Sequence, residues 1–176
     1  MKKMYRGLIL LSLVSLYCVA LFGQSKEVGK KSPAGLLSAQ DLKQVMPASV
    51  FFAGQTAPVQ LRNSGGLRTS TGKLVLIGMV DSSGYSSGVA QKYQAYLITE
   101  TGLHIEGKSL PPGAYGVGFL DDATFNVMDL GGHDLTSVPG HSDAGLHRAV
   151  PLRLASNTPG KYRLYFGKRY VDFSGE

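Results

Sequence analysis

Tyr93 to Leu130 reads YQAYLITETGLHIEGKSLPPGAYGVGFLDDATFNVMDL. Short runs of β-branched and aromatic residues are cut by Thr101-Gly102, Pro111-Pro112-Gly113 and Asp121-Asp122. Each run suits a pleated strand better than a helix, and each break carries turn chemistry. Strands are therefore expected at 93–100, 103–108, 114–120 and 124–130.

The same punctuation continues outward. Runs at 49–53, 58–62 and 73–81 precede the stretch, and runs at 150–155, 161–166 and 169–173 follow it. Turns are expected at Asn63-Ser64-Gly65-Gly66, Thr71-Gly72, Pro159-Gly160 and Gly167-Lys168. Ten short strands without crossover helices predict a mainly β protein, a single antiparallel β-sandwich or barrel-like domain. One short N-terminal helix is added by Ser38 and Asp41, a capping-box pair, and Pro47 stops it after Met46. Val89, Tyr93, Tyr96 and Leu97 also fit a helical face, but Tyr93, Tyr96, Ile98 and Thr99 favour a strand there.

Ahead of this domain, Lys2, Lys3 and Arg6 lead into an uncharged run from Leu8 to Phe22, and Gly23-Gln24-Ser25 offers a small-x-small cleavage site. Residues 1–25 read as a signal peptide, too short in its apolar part for a spanning helix. The mature chain is then exported, to a bacterial periplasm or the medium, with no stable membrane span. Residues 26–36 form a polar leader and 37–176 one β domain. The only cysteine, Cys18, lies in the signal, so the remaining chain has no disulfide. Tyr17 before it argues against lipid attachment.

The formal charge of +6 falls to +3 (6 − 3) once the three signal cations are removed. Several of the remaining cations sit in Lys26 to Lys31 and Lys161 to Arg169, flanking regions rather than a continuous stripe with base-stacking aromatics, which argues against nucleic acid as a partner. Gly102 to Ser109 satisfies the P-loop spacing, yet Leu110-Pro111-Pro112-Gly113 forbids the helix that would present its N-terminus to phosphate. Gly84-Tyr85-Ser86-Ser87-Gly88 matches a nucleophile elbow, making Ser86 a candidate catalytic serine. His133, His141 or His147 would be its base and Asp129, Asp134 or Asp143 the orienting acid. The chain lacks the alternating helices that such an elbow needs, so a Ser/Gly loop is the preferred reading.

Two loops remain as candidate sites. Residues 81–88 carry Tyr85 among small residues, a common recognition device. Residues 131–148 hold His133, Asp134, His141 and His147, donors suited to Zn or Cu, although their spacing matches no standard metal pattern. Long loops often carry function. No cofactor is implied beyond that metal.

Leu110-Pro111-Pro112-Gly113-Ala114-Tyr115-Gly116, with Asp121-Asp122 and Phe125-Asn126-Val127-Met128, resembles the core hairpin of a group of exported bacterial β-domains. The resemblance covers about 20 residues and implies a sandwich-like fold and no activity. The sequence thus predicts an exported, non-catalytic binding or accessory domain, with Tyr85, His133 and Asp134 as contact residues and a protein, glycan or small molecule as partner. Its alternatives are a metal protein or enzyme built on 131–148 and a serine hydrolase at Ser86.

Overall fold

Successive side chains of a strand point to opposite faces, so an apolar residue at every position buries both. The stretch Leu74–Val80 does this: Val75 and Ile77 join one core, and Val80 joins another on the reverse face. A computed structural model of the chain describes residues 34–175, which fall within one compact unit. The expected signal peptide, 1–25, and most of the expected leader, 26–36, lie outside the described residues.

Fourteen strands are described: β1 (Gly35–Leu36), β2 (Ser49–Phe52), β3 (Gln55–Arg68), β4 (Leu74–Val80), β5 (Ala95–Thr99), β6 (Leu103–Ile105), β7 (Lys108–Leu110), β8 (Gly113–Phe119), β9 (Thr124–Met128), β10 (Asp134–Pro139), β11 (His141–Ser142), β12 (Val150–Thr158), β13 (Lys161–Gly167) and β14 (Arg169–Gly175). Two helices accompany them, α1 (Ala39–Val45) and α2 (Ser87–Ala90). No helix among the described residues is long and apolar enough to cross a membrane.

The strands form an antiparallel sandwich. Sheet one has the order β1-β3-β4-β5-β8-β9-β10 with β2 added on β3. Sheet two has the order β12-β13-β14-β6-β7 with β11 on β14. The chain changes sheet between β5 and β6, between β7 and β8, and between β10 and β11. The main core lies between the sheets and includes Leu97, Val117, Phe119, Phe125, Val127, Leu164, Phe166 and Val171.

A second core covers the outer face of sheet one. Val50, Phe52, Ala57, Val80, Tyr93, Tyr96 and Met128 are buried there, with Tyr85 and Val89 packed against them. Phe52 stacks on Tyr93 with ring centroids 3.9 Å apart. The floor has to be flat for this. A Cβ on Gly116 would overlap the edge of the Phe52 ring, and one on Gly118 would strike the Lys92 carbonyl. Further along this face Leu42 of α1 lies over Gly66, and Ser38 caps α1 with the reciprocal Asp41 bond.

Several expectations are corrected. Asn63-Ser64-Gly65-Gly66 is no turn. It lies inside β3, which bends through a register shift between Val59 and Ser64. Strand 103–108 is a hairpin of β6 and β7 with Glu106 and Gly107 both at positive φ, +46° and +79°. That pair is the type I′ signature. Segment 131–148, read as one loop, contains β10 and β11, and the helix-or-strand ambiguity at 89–97 resolves into α2 followed by β5.

Candidate functional site

The second candidate loop is reached by Lys92, four residues beyond the end of the first at Gly88. Residues 81–94 run across the outer face of sheet one, and the β9–β10 turn comes up beside them. Lys92 Nζ donates to Asp134 Oδ2 at 2.6 Å. The β2–β3 turn completes the group, since Ala53 N donates to Leu130 O and Tyr85 Oη to Gln55 O.

Within this group Tyr85 turns back onto the domain. Its ring meets Tyr93 edge-on at 5.3 Å and Phe52 at 6.2 Å. The recognition device expected of Tyr85 is therefore used largely for packing. Tyr93 is fully buried, and its hydroxyl has no hydrogen-bond partner among the described residues. Burial pushes that hydroxyl far above the ordinary tyrosine range.

Asp134 is the centre of a polar chain. Its Oδ1 accepts from Asn126 Nδ2 at 2.6 Å, while Ser137 Oγ donates to Asn126 Oδ1 at 2.8 Å. The bonds from Lys92 and then Asn126 hold its carboxyl below the usual carboxylate range. Asn126 is buried beneath the chain, facing Gly118 across the β8–β9 ladder.

The histidines do not assemble. His133 pairs with Asp129 at 3.1 Å in the β9–β10 turn, and its ring is open to water. Asp129 is held below its ordinary range chiefly by the His133 backbone N–H. His141 lies beyond the other end of β10, on sheet two, with Nε2 3.3 Å from Glu106 Oε1. Six strand residues separate the two, roughly 20 Å along β10. His147 is exposed further along the chain. Among the described residues no group of three His, Cys, Asp or Glu side chains is placed to hold a metal ion. The trio His133, His141 and His147 therefore forms no common ligand set.

Ser86 fares similarly. It stands exposed before α2 without a side-chain capping bond, and no histidine bonds to it among the described residues. Asp143, one of its candidate acids, accepts from Tyr165 Oη at 2.9 Å on sheet two instead. Gly102 to Ser109 forms the β6–β7 hairpin, so no helix opens after Lys108 and Ser109.

Sheet two presents a different surface. Its outer positions, fixed by register, bring Arg153 beside Tyr165, Tyr165 beside Tyr170, Arg163 beside Asp172 and Lys161 beside Ser174. Arg153 lies 4.5 Å over the Tyr165 ring and Arg163 3.8 Å over Tyr170. Arg163 also donates through Nε and Nη2 to the two oxygens of Asp172, which raises its already high pKa. His141 lies against Tyr170 at 5.2 Å. These contacts fix long cationic side chains in place, so less entropy remains to be lost when a ligand binds.

Sequence reasoning missed this face. Its signal was the alternation of Lys161, Arg163 and Tyr165 with Tyr162, Leu164 and Phe166, together with charge. From 148 to 175 there are six cations and one acid, 6 − 1 = +5. From 81 to 134 there are two cations and seven acids, 2 − 7 = −5. No protein-family model, curated protein or solved structure matches the chain.

Proposed function

We propose that this chain is an exported, non-catalytic binding module that engages an anionic partner through the outer face of sheet two. The observation that carries this reading is the Arg153–Tyr165–Tyr170–Arg163 array, in which two guanidiniums are stacked over tyrosine rings on the outer face of sheet two, with Tyr165 itself buried beneath them. The outer face of sheet one is filled by its own second core. Sheet two has no such layer among the described core clusters, and its outer residues are largely polar.

Catalysis has less support. Among the described residues no histidine bonds to Ser86, and the candidate imidazoles that do pair are held by carboxylates in two separate places. Fixed cations facing solvent recognise carboxylate, sulfate or phosphate groups and give salt-sensitive association. Binding of the secreted protein to polyglutamate, a sulfated polysaccharide and a neutral glucan tests this. Affinity for the two polyanions should fall at least tenfold between about 0.05 and 0.5 M salt and again in Arg153→Glu/Lys161→Glu. Equal binding to the neutral glucan, or no effect of charge reversal, would overturn the reading.

A further inference from the structure

The Lys92–Asp134–Asn126–Ser137 chain contains every group needed to join an amine to a carboxamide. We propose that Lys92 and Asn126 form an intramolecular isopeptide cross-link, with Asp134 as proton shuttle and Ser137 as hydrogen-bond donor to the reacting carbonyl. The placement is unusual for a surface ion pair. One carboxylate holds the amine at 2.6 Å through Oδ2 and the carboxamide nitrogen at 2.6 Å through Oδ1. The carboxamide is buried, and its oxygen already accepts from Ser137 Oγ at 2.8 Å.

The chemistry balances. Lys92 Nζ passes a proton to Asp134 and, as a neutral amine, swings onto Asn126 Cγ. The new C–N bond forms as the carbonyl electron pair moves to Oδ1, where Ser137 donates. Asp134 then hands its proton to Nδ2 and takes one from Nζ. The Cγ–Nδ2 bond breaks, and the nitrogen leaves as ammonia, which carries away the remaining proton as ammonium. Nothing is oxidised or reduced.

The pair is partly open to water, with side chains 38% and 48% exposed, so the site lacks the dry surroundings that speed such an attack. A step that happens once per molecule tolerates this. Completion within about an hour requires only roughly 10⁻³ s⁻¹, about 10⁴-fold below a median enzyme turnover. The link also joins places that benefit from joining. Lys92 ends the segment that covers the second core, Asn126 sits in β9, and the described chain has no cysteine with which to make a disulfide.

Tryptic mapping and intact mass of the folded full-length product test the proposal. The expected result is a branched peptide linking Lys92 to Asn126, no cleavage after Lys92, and a mass about 17 Da below that of the processed sequence, one ammonia. Lys92→Arg keeps a cation beside Asp134 but cannot acylate, so it should restore the linear peptides and lower Tm by about 10 °C through the loss of a closed loop. Asn126→Asp should leave the peptides linear or form the link with loss of about 18 Da, one water. Linear Lys92 and Asn126 peptides from folded wild-type protein would overturn the proposal. So would a branched peptide joining Lys92 to Asp134, which would remove Asn126 as acyl donor.

Discussion

Phe52 and Gly116 should be energetically coupled, because the second core is built by laying the Phe52 ring on a strand that has no side chain at that point. Phe52 is fully buried and stacks on Tyr93 at 3.9 Å. Phe52→Ala removes that burial and leaves a cavity, for a cost of about 4 kcal/mol. Over the 142 described residues (175 − 34 + 1), an unfolding entropy of about 2.1 cal/mol/K per residue converts this into a fall of about 13 °C in Tm. Gly116→Ala places a methyl against Cε2 and Cζ of Phe52, and that overpacking costs about 2 kcal/mol. Gly116 is absent from the positive-φ glycines, so the cost is steric rather than conformational. In the double variant the added methyl enters the space vacated by the ring. The combined loss should fall short of the sum of the single losses by about 2 kcal/mol. Urea denaturation of the four proteins measures it. Additivity within about 0.5 kcal/mol would refute the stacking of β2 over β8.

Further predictions address the sites. Tyr93→Phe removes a buried hydroxyl without a partner, so its stability should equal or exceed that of the parent by up to about 1 kcal/mol in the same denaturation experiment. Because burial raises the Tyr93 pKa, the stability tied to its neutral form is full below the unfolded value of 10.0 and declines as pH rises past it. Ultraviolet titration should show this tyrosine ionising only as the protein unfolds. Asp41 is shifted the other way, lowered first by its bond with Ser38, so its contribution holds above pH 3.8 and is lost on acidification. The stability difference between parent and Ser38→Ala, followed by thermal melts across pH, should shrink as pH falls below 3.8. Equimolar Zn²⁺ should leave Tm unchanged, since His133 and His141 are held at opposite ends of β10. A fluorophosphonate probe should leave Ser86 unlabelled by mass spectrometry.

The sandwich was legible because its strands carry strong local signals. Ala114 to Leu120 and Phe125 to Met128 alternate or run apolar between turns, and the structure pairs them through Val117 and Val127. What the sequence concealed were places where tertiary contact overrides local chemistry. Asn63 to Gly66 has turn composition, but Gly65 and Gly66 are small because Leu154, Leu37 and Leu42 approach them. Segment 131–148 is rich in loop formers, yet Thr136 to Pro139 finds β9 as a partner and becomes a strand.

The candidate site was less legible for a similar reason. Tyr85 and Asp134 were singled out individually, whereas their roles depend on Tyr93 and Asn126, each eight residues away on another element, and on Lys92, 42 residues from Asp134. The tyrosines at 162 and 165 read as core or cross-strand residues. Tyr165 does pair with Tyr170 across the strands, but on the outer face, beneath Arg153. Local propensity shows which residues alternate. It does not show which face another sheet will cover.

Amide hydrogen exchange of the protein, with and without the tighter-binding polyanion, addresses the account most directly. Added protection should concentrate in β12 to β14, residues 150–175, with exchange unchanged in β2 and in 81–94. Protection confined to 81–94 and the β9–β10 turn would contradict the assignment of sheet two as the binding face.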